Sequence, residues 1–327
     1  MNGTEAANIP GPPVPSFHNE SWKLISQGAE ARVWLVPNFI QTNISNTSSS
    51  LGTSSSSLSS ITSTVVCKER FPKAYRHPAL DETLTRSRTK AEAKNLNRCR
   101  RGGVSVPLVL GVDLNSAKKN DATQEGGEKN SSNEKKSACL FLEYVHGVTI
   151  RSFLNVEVDM DANHTLDGTE PPSKKQKVGT DDAPNNRKKI VTRMDDYAKK
   201  TSYEVGATIA RMHNTNIVHG DLTTSNILIR NPDIPDGESS NEWKPDIVLI
   251  DFGLSSASTN SKKTSCHEER AVDLHVLERA FVTTHVGSED LVKEAMRGYK
   301  ATCQSSDSVF VRLAQVRMRG RKRECFG

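Results

Sequence analysis

Long apolar runs are missing. Nowhere do the 327 residues approach the roughly 18 consecutive apolar positions that a membrane-spanning helix needs. Hydrophobic residues are few, at 35 %. Even with the 20 glycines added, the share stays below the roughly 45–50 % of ordinary globular chains, so part of the chain is expected not to pack. The opening MNGTEAANIPGPPVP has neither a basic start nor an apolar core, and no secretory signal is expected. CxxC pairs are absent. Cys67, Cys99, Cys139, Cys266, Cys303 and Cys325 are scattered, which gives neither a zinc site nor a dense disulfide framework and predicts reduced thiols inside a cell. A large charge of one sign is also lacking: 44 Lys+Arg against 39 Asp+Glu leave +5, too little by itself to imply nucleic acid.

Four stretches read as insertions. Residues 41–64 are Ser, Thr, Asn and Gly; 115–137 are Lys, Asn, Glu, Gly and Ser; 155–190 are acidic, then Pro-rich, then basic; 231–245 carry Pro, Asp, Gly and Ser. Such compositions bury too little apolar surface to offset chain entropy. Residues 1–20 read as a disordered tail.

The remaining segments have a packed character. Residues 21–36 predict two strands around a Gly turn, and 64–70 (TVVCKER) a β-branched strand. Residues 80–101 predict a helix stopped at Gly102-Gly103. Residues 104–113 and 138–145 are short apolar strands, and 195–213 space Val205, Ile209 and Met212 helically. Residues 225–230 and 246–251 predict a strand pair; 270–282 and 288–300 predict helices. Strands first and helices later make the class α+β.

One constellation carries chemistry. His219-Gly220-Asp221-Leu222-Thr223-Thr224-Ser225-Asn226 is followed by Asp251-Phe252-Gly253. Asp221 and Asn226 stand five apart on a loop entering a strand, and Asp251 ends the next strand. That puts one carboxylate near a nucleophile, with Asn226 and Asp251 as hard oxygen ligands for Mg²⁺ beside the phosphate oxygens of ATP. The spacing matches the kinase catalytic-loop and D-F-G signatures. HxDxxxxN followed by DFG at strand-pair distance is far more specific than DFG alone. The bland alternative is two polar turns.

Other parts follow. Lys68 occupies the strand position of a phosphate-gripping lysine, with Glu92 as its ion-pair partner and Glu82 as the competing choice on the same helix. Leu142-Glu143-Tyr144-Val145 reads as a hinge between lobes. Backbone groups of Glu143 and Val145 would bond adenine, Leu142 would wall the pocket, and Val33 and Leu228 would sandwich the ring. The plain alternative is that these are core strand residues; for Val33 and Leu228 both readings can hold. Gly28 lies in the phosphate-loop position.

Six runs stand out together: Gln27 to Ala31, Lys68-Glu69-Arg70-Phe71-Pro72-Lys73-Ala74-Tyr75-Arg76-His77-Pro78, Leu80-Asp81 through Arg86-Ser87-Arg88-Thr89 to Glu92-Ala93, His219 to Asn226, Ala271 to Leu274 with Leu277 to Phe281, and Arg317 to Arg323. In these residues the chain resembles the small atypical kinases of the PRPK type, the kinase subunit of the KEOPS (EKC) complex. The resemblance covers the packed segments and leaves the polar insertions outside. It implies a two-lobed minimal kinase-like fold. The N-lobe would be 21–145, the C-lobe 146–316 and a basic tail 317–327.

The chain departs from ordinary kinases in ways that bear on mechanism. Ser26-Gln27-Gly28-Ala29-Glu30-Ala31 keeps one glycine where GxGxxG has three, so backbone approach to phosphates is less free. Gly220 replaces the Arg that reads an activation-loop phosphate, and Thr223 stands where a Lys meets the γ-phosphate. No A-P-E follows Gly253, so a platform for protein substrates is reduced or missing. Asp273 is expected to brace the catalytic loop. These features imply a slow phosphotransferase or ATPase.

By resemblance, the enzyme is a non-specific serine/threonine kinase and ATPase using ATP and Mg²⁺. Its partners would be a threonylcarbamoyl transferase and the other KEOPS subunits, in support of threonylcarbamoyladenosine formation on tRNA. Arg317, Arg319, Arg321, Lys322 and Arg323 would reach tRNA or the transferase active site; aromatic interleaving for base stacking is absent, so any contact would be to phosphate or protein. Lys174-Lys175-Gln176-Lys177 resembles a nuclear-import signal, and the expected location is cytoplasmic and nuclear, with no membrane. Two alternatives stay open. One is a free-standing signalling serine kinase of the p53-directed kind; the other is a non-catalytic nucleotide-binding scaffold. Intact Lys68, Asp221, Asn226 and Asp251 argue against the scaffold.

Overall fold

A computed structural model of the chain describes residues 21–41, 62–73, 75–116, 137–155, 183–230, 243–258, 263–285 and 287–324. The tail 1–20, the import-like run 174–177 and most of each expected insertion lie outside them. The chain divides into two compact units.

The first unit takes in Met1–Arg100, Pro107–Val145 and Phe252–Ser255. Its strands are β1 (Lys23–Gln27), β2 (Arg32–Gln41), β3 (Thr62–Arg70), β4 (Val109–Ser116) and β5 (Ser137–Glu143), in antiparallel order β1-β2-β3-β5-β4. The β-branched run Thr64-Val65-Val66 favours the central place of β3. Alternation along β3 sends Val65 and Cys67 to one face, where they form a small core with Trp34, Val36 and Cys139. The opposite face receives Val66, Lys68 and Arg70. Helix α1 (Pro78–Arg101) starts on a proline, whose missing N–H is one that no helical carbonyl would have satisfied. Gly103, at φ 75°, lies two residues past its end.

The second unit takes in Arg101–Val106, His146–Asp251 and Ser256–Gly327. It contains β6 (Gly147–Thr149), α2 (Ile150–Leu154), α3 (Ala183–Asn214), β7 (Ile217–Val218), β8 (Ile227–Arg230), β9 (Asp246–Leu249), β10 (Ser256–Ala257), α4 (Lys263–Thr284), α5 (Glu289–Thr302) and α6 (Ser306–Glu324). One sheet runs β6-β8-β9, and β7 pairs with β10. Helix α3 packs on α5, and α4 on α6. The first pair crosses at glycines. A Cβ on Gly206 would run into the Ala295 carbonyl oxygen, and one on Gly298 into that of Tyr203. Buried Val205, Ile209 and Met212 line the core face of α3.

Three differences from the sequence reading stand out. The strand expected at 104–113 starts only at Val109, because Pro107 has no N–H to give a ladder. Val104 and Val106 are buried instead in the second unit, where Ser105 O accepts from Leu249 N at 3.1 Å. Helix α3 begins at Ala183, inside the run read as the insertion 155–190. The segment from 317 is no separate tail. Helix α6 runs to Glu324, since its buried stripe Val309, Leu313 and Val316 commits the helix to α4 before the basic run begins. Among the described residues, no helix is long and apolar enough to cross a membrane.

Candidate active site

In the first unit, Lys68 Nζ lies 2.9 Å from Glu92 Oε1, and both groups are buried. Glu82, the rival choice, pairs instead with Arg86 on the exposed side of α1. Glu92 serves two cations, because its Oε2 also accepts from Arg70 Nη2 at 2.6 Å. Lys68 and Arg70 are two residues apart on β3 and so share a face. One carboxylate thereby orders two cations on one face of β3. That is an environment suited to a phosphate.

Val33 is the cross-strand partner of Lys68 on β2 and shares its face. Leu142 and Val145 are both buried. Glu143 donates its backbone N–H to Leu108 O at 2.9 Å, while its carboxylate accepts from Leu108 N at 3.0 Å. An adenine contact at Glu143 would therefore have to be made by the carbonyl. Gly28 closes the β1–β2 turn through its N–H to Ala31 O, at 2.9 Å.

In the second unit, Asp221, Asn226 and the residue before Asp251 are tied together. Asn226 Nδ2 donates to Asp221 O at 3.0 Å and to Asp221 Oδ2 at 3.1 Å. Ile250 N donates to Asn226 O at 3.0 Å. His219 spans the same parts. Its Nε2 donates to Ile250 O at 2.9 Å, and its Nδ1 accepts from Asp221 N at 3.3 Å. Asp251 follows at φ 60°, a left-handed backbone that costs energy for a residue with a Cβ. Gly220, at φ 82°, needs the freedom of glycine. Leu228 lies on β8 beside Val248 and is half-buried.

The loop is braced from α4. Asp273 accepts from His219 N at 2.6 Å and from Gly220 N at 2.8 Å. His213 and Tyr299 complete the brace. His213 Nε2 lies 3.2 Å from Asp273 Oδ2, and its Nδ1 lies 2.8 Å from the Tyr299 hydroxyl. Burial pushes the Tyr299 hydroxyl up from its usual range and draws the His213 imidazole down. Sequence reasoning passed over His213, Tyr299 and the linking part of His219. Only His219 had a signal, its place at the head of the motif.

The donor set suits a divalent ion. Because Asn226 spends its amide nitrogen on Asp221, it turns its oxygen the other way. That oxygen and the Asp251 carboxylate are hard ligands of the kind Mg²⁺ takes alongside phosphate. Among the described residues, no group of three His, Cys, Asp or Glu side chains offers a competing metal site.

These parts define a class. Residues 128–289 match the protein kinase domain, and a kinase domain uses ATP with a divalent metal. The relatives narrow it. The chain is 33 % identical to "EKC/KEOPS complex subunit BUD32" of Chaetomium globosum, with 100 % of both chains covered. It is 35 % identical to the bud32 subunit of Aspergillus fumigatus over 97 % of each, and 34 % identical to subunit Tp53rkb of Mus musculus over 80 % of each. The chain belongs to this Bud32 family of atypical kinases.

Proposed function

We propose that the chain transfers the γ-phosphoryl group of ATP to serine or threonine hydroxyls and to water, as the partner-activated subunit of a KEOPS-type assembly that supports threonylcarbamoyladenosine formation on tRNA. The observation that carries the chemical part is the bond from Asn226 Nδ2 to the Asp221 carboxylate, 3.1 Å long, in a loop braced by Asp273. It presents one carboxylate to a nucleophile and one amide oxygen to a cation. The subunit names of the relatives support the assembly.

In this reading Asp221 accepts the proton of the attacking hydroxyl or water. Lys68, oriented by Glu92, grips the α- and β-phosphates. Gly28 and its turn cover the phosphates; Val33 and Leu228 hold the purine, with Glu143 and Val145 bonding its edge. Asn226 and Asp251 hold Mg²⁺. When bound, the ion neutralises phosphate charge and orients the γ-phosphoryl group. Helix α4 begins at Lys263, so little chain follows Gly253 to form a peptide platform, which favours hydrolysis within an assembly over free-standing signalling. The partners are a threonylcarbamoyl transferase and other subunits, with tRNA met by Arg317, Arg319, Arg321, Lys322 and Arg323. The location is cytoplasmic and nuclear.

The test is Mg²⁺-ATP turnover by the purified chain, alone and with the transferase of the same organism. Stimulation by the partner, lost in Asp251→Ala, supports the reading. Turnover indifferent to the partner, with phosphate passed to added protein, points to a signalling kinase. Full activity in Asp251→Ala overturns the metal assignment.

A further inference from the structure

The turn between β1 and β2 has one glycine, and nothing local demands even that one. Gly28 is not among the residues with positive φ, and a Cβ there would meet only the Ala31 carbonyl oxygen, at 4.0 Å. A single backbone hydrogen bond closes the turn. Phosphate-covering turns rich in glycine work by bringing bare backbone close to the ligand. This one must be set by something else.

The something else is cationic. Lys73 reaches back 44 residues and donates from Nζ to the Ala29 carbonyl, in the middle of the turn. Lys73 is 5 % exposed. Its ammonium sits 3.6 Å from the centre of the Phe71 ring, and its backbone N–H donates to Asp81 Oδ2 at 2.8 Å. Burial draws its pKa below the usual lysine value, against the pull of Glu30 and Asp81. On the outer side of the turn, Glu30 lies 2.9 Å from Arg88 and 3.6 Å from Arg76. Arg76 also reaches Asp81, at 3.5 Å.

The spacing along α1 ties these contacts together. Asp81, Arg88 and Glu92 lie at intervals of seven and four, so they share one helix face. That face fixes the backbone of Lys73, holds Glu30, and orients Lys68. A desolvated ammonium is costly, and an apolar side chain of similar length would fill the same space without that cost. The charge is accounted for by what it holds. Among the described residues, the acceptor of its ammonium is the carbonyl at the centre of the turn.

We infer that Lys73 is a positioning residue for the nucleotide phosphates, holding the Gly28–Glu30 backbone against them in place of the missing glycines. The inference rests on the reading of the first unit as the phosphate-binding part of a kinase. Lys73 itself touches no substrate.

The experiment compares two ligands on the full chain by calorimetry: Mg²⁺-ATP, which has phosphates, and adenosine, which has none. Lys73→Met should bind adenosine within about twofold of the wild type and ATP about tenfold more weakly, the loss of one ordering charge-assisted hydrogen bond. Lys73→Arg, which keeps a cation and donors, should recover most of the ATP binding. In turnover, KM for ATP should rise in the same proportion while kcat changes less. Equal weakening of both ligands would mark Lys73 as merely structural and overturn the inference; so would unchanged ATP binding. A wild-type chain that binds neither ligand counts instead against the nucleotide reading itself. Should the methionine variant not fold, Glu30→Gln loosens the outer side of the same turn with Lys73 in place. It should show the same selective loss for ATP, about two- to threefold, and wild-type binding of both ligands would overturn the clamp.

Discussion

His213 Nε2 lies 3.2 Å from Asp273 Oδ2, and both side chains are fully buried beneath the catalytic loop. A carboxylate accepts and does not donate, so Nε2 carries the proton and Nδ1 accepts from the Tyr299 hydroxyl. This neutral imidazole serves both partners. Burial draws its pKa down; Asp273 pulls it up, Arg270 and His219 push it down, and the balance lies below the usual histidine value. The unfolded chain then binds a proton near pH 6.5 that the folded chain refuses, so stability is lost as pH falls below about 6.5. His213→Gln forfeits the brace but carries no such penalty. The gap in melting temperature between wild type and His213→Gln should therefore shrink between pH 7.5 and pH 5.5. A gap that is constant or widens on acidification would refute the assignment.

The crossing of α3 and α5 leaves no room for a methyl group at Gly206 or Gly298, because the opposing carbonyl oxygens of Ala295 and Tyr203 are backbone and cannot swing aside. Gly→Ala in a helix normally stabilises by about 1 kcal/mol. Here overpacking should reverse the sign and cost about 1–3 kcal/mol or more for either substitution. Urea denaturation of Gly206→Ala and Gly298→Ala checks it, and a gain in stability in either would show that the helices can part cheaply.

The nearness of Asp221 to Asn226 was more legible than the supports of their loop. Asp221 and Asn226 are neighbours in sequence, so their pairing could be read from spacing. The brace joins His213 to Asp273 and Tyr299 across 60 and 86 residues, and no local pattern announces it. The turn glycine was noticed, but the lysine that holds its neighbour sits 44 residues on. Helix boundaries failed for a different reason. Composition read Arg317–Arg323 as a basic tail, although Arg, Lys and Met are good helix formers and the apolar stripe before them was already committed. The antiparallel sheet around Lys68 was foreseeable from alternation, whereas Val104 and Val106 belong to another unit than the strand that follows them.

The carboxylate of Asp221 is held by Asn226 and its amide by His219. Asp221→Asn keeps an oxygen to accept from Asn226, so the loop should survive the change. Only the proposed proton acceptor is removed. Turnover should fall by about 10²–10⁴, the range of a general base, with KM for ATP and the melting temperature nearly unchanged. A fall in turnover matched by a fall in melting temperature would mean that the carboxylate is structural.

Arg317 makes a two-pronged contact with Glu278, and Arg319 lies 2.7 Å from Glu268, so the basic end of α6 is fastened to α4. The pair with Glu278 holds the Arg317 guanidinium above its usual pKa. Arg317 is nonetheless 42 % exposed on its side chain and Arg319 60 %, and solvent screening limits such pairs to about 0–1 kcal/mol each. The buried anchors Val309, Leu313 and Val316 all precede Arg317. Truncation after Val316 should therefore lower the melting temperature by only a few degrees, while it removes the cations that would meet tRNA phosphates. The proposed assembly predicts that the truncated chain keeps its unstimulated Mg²⁺-ATP turnover and loses stimulation by the transferase and tRNA. If stimulation survives the truncation intact, the basic end of α6 only fastens two helices, and the proposed contact with tRNA through it falls.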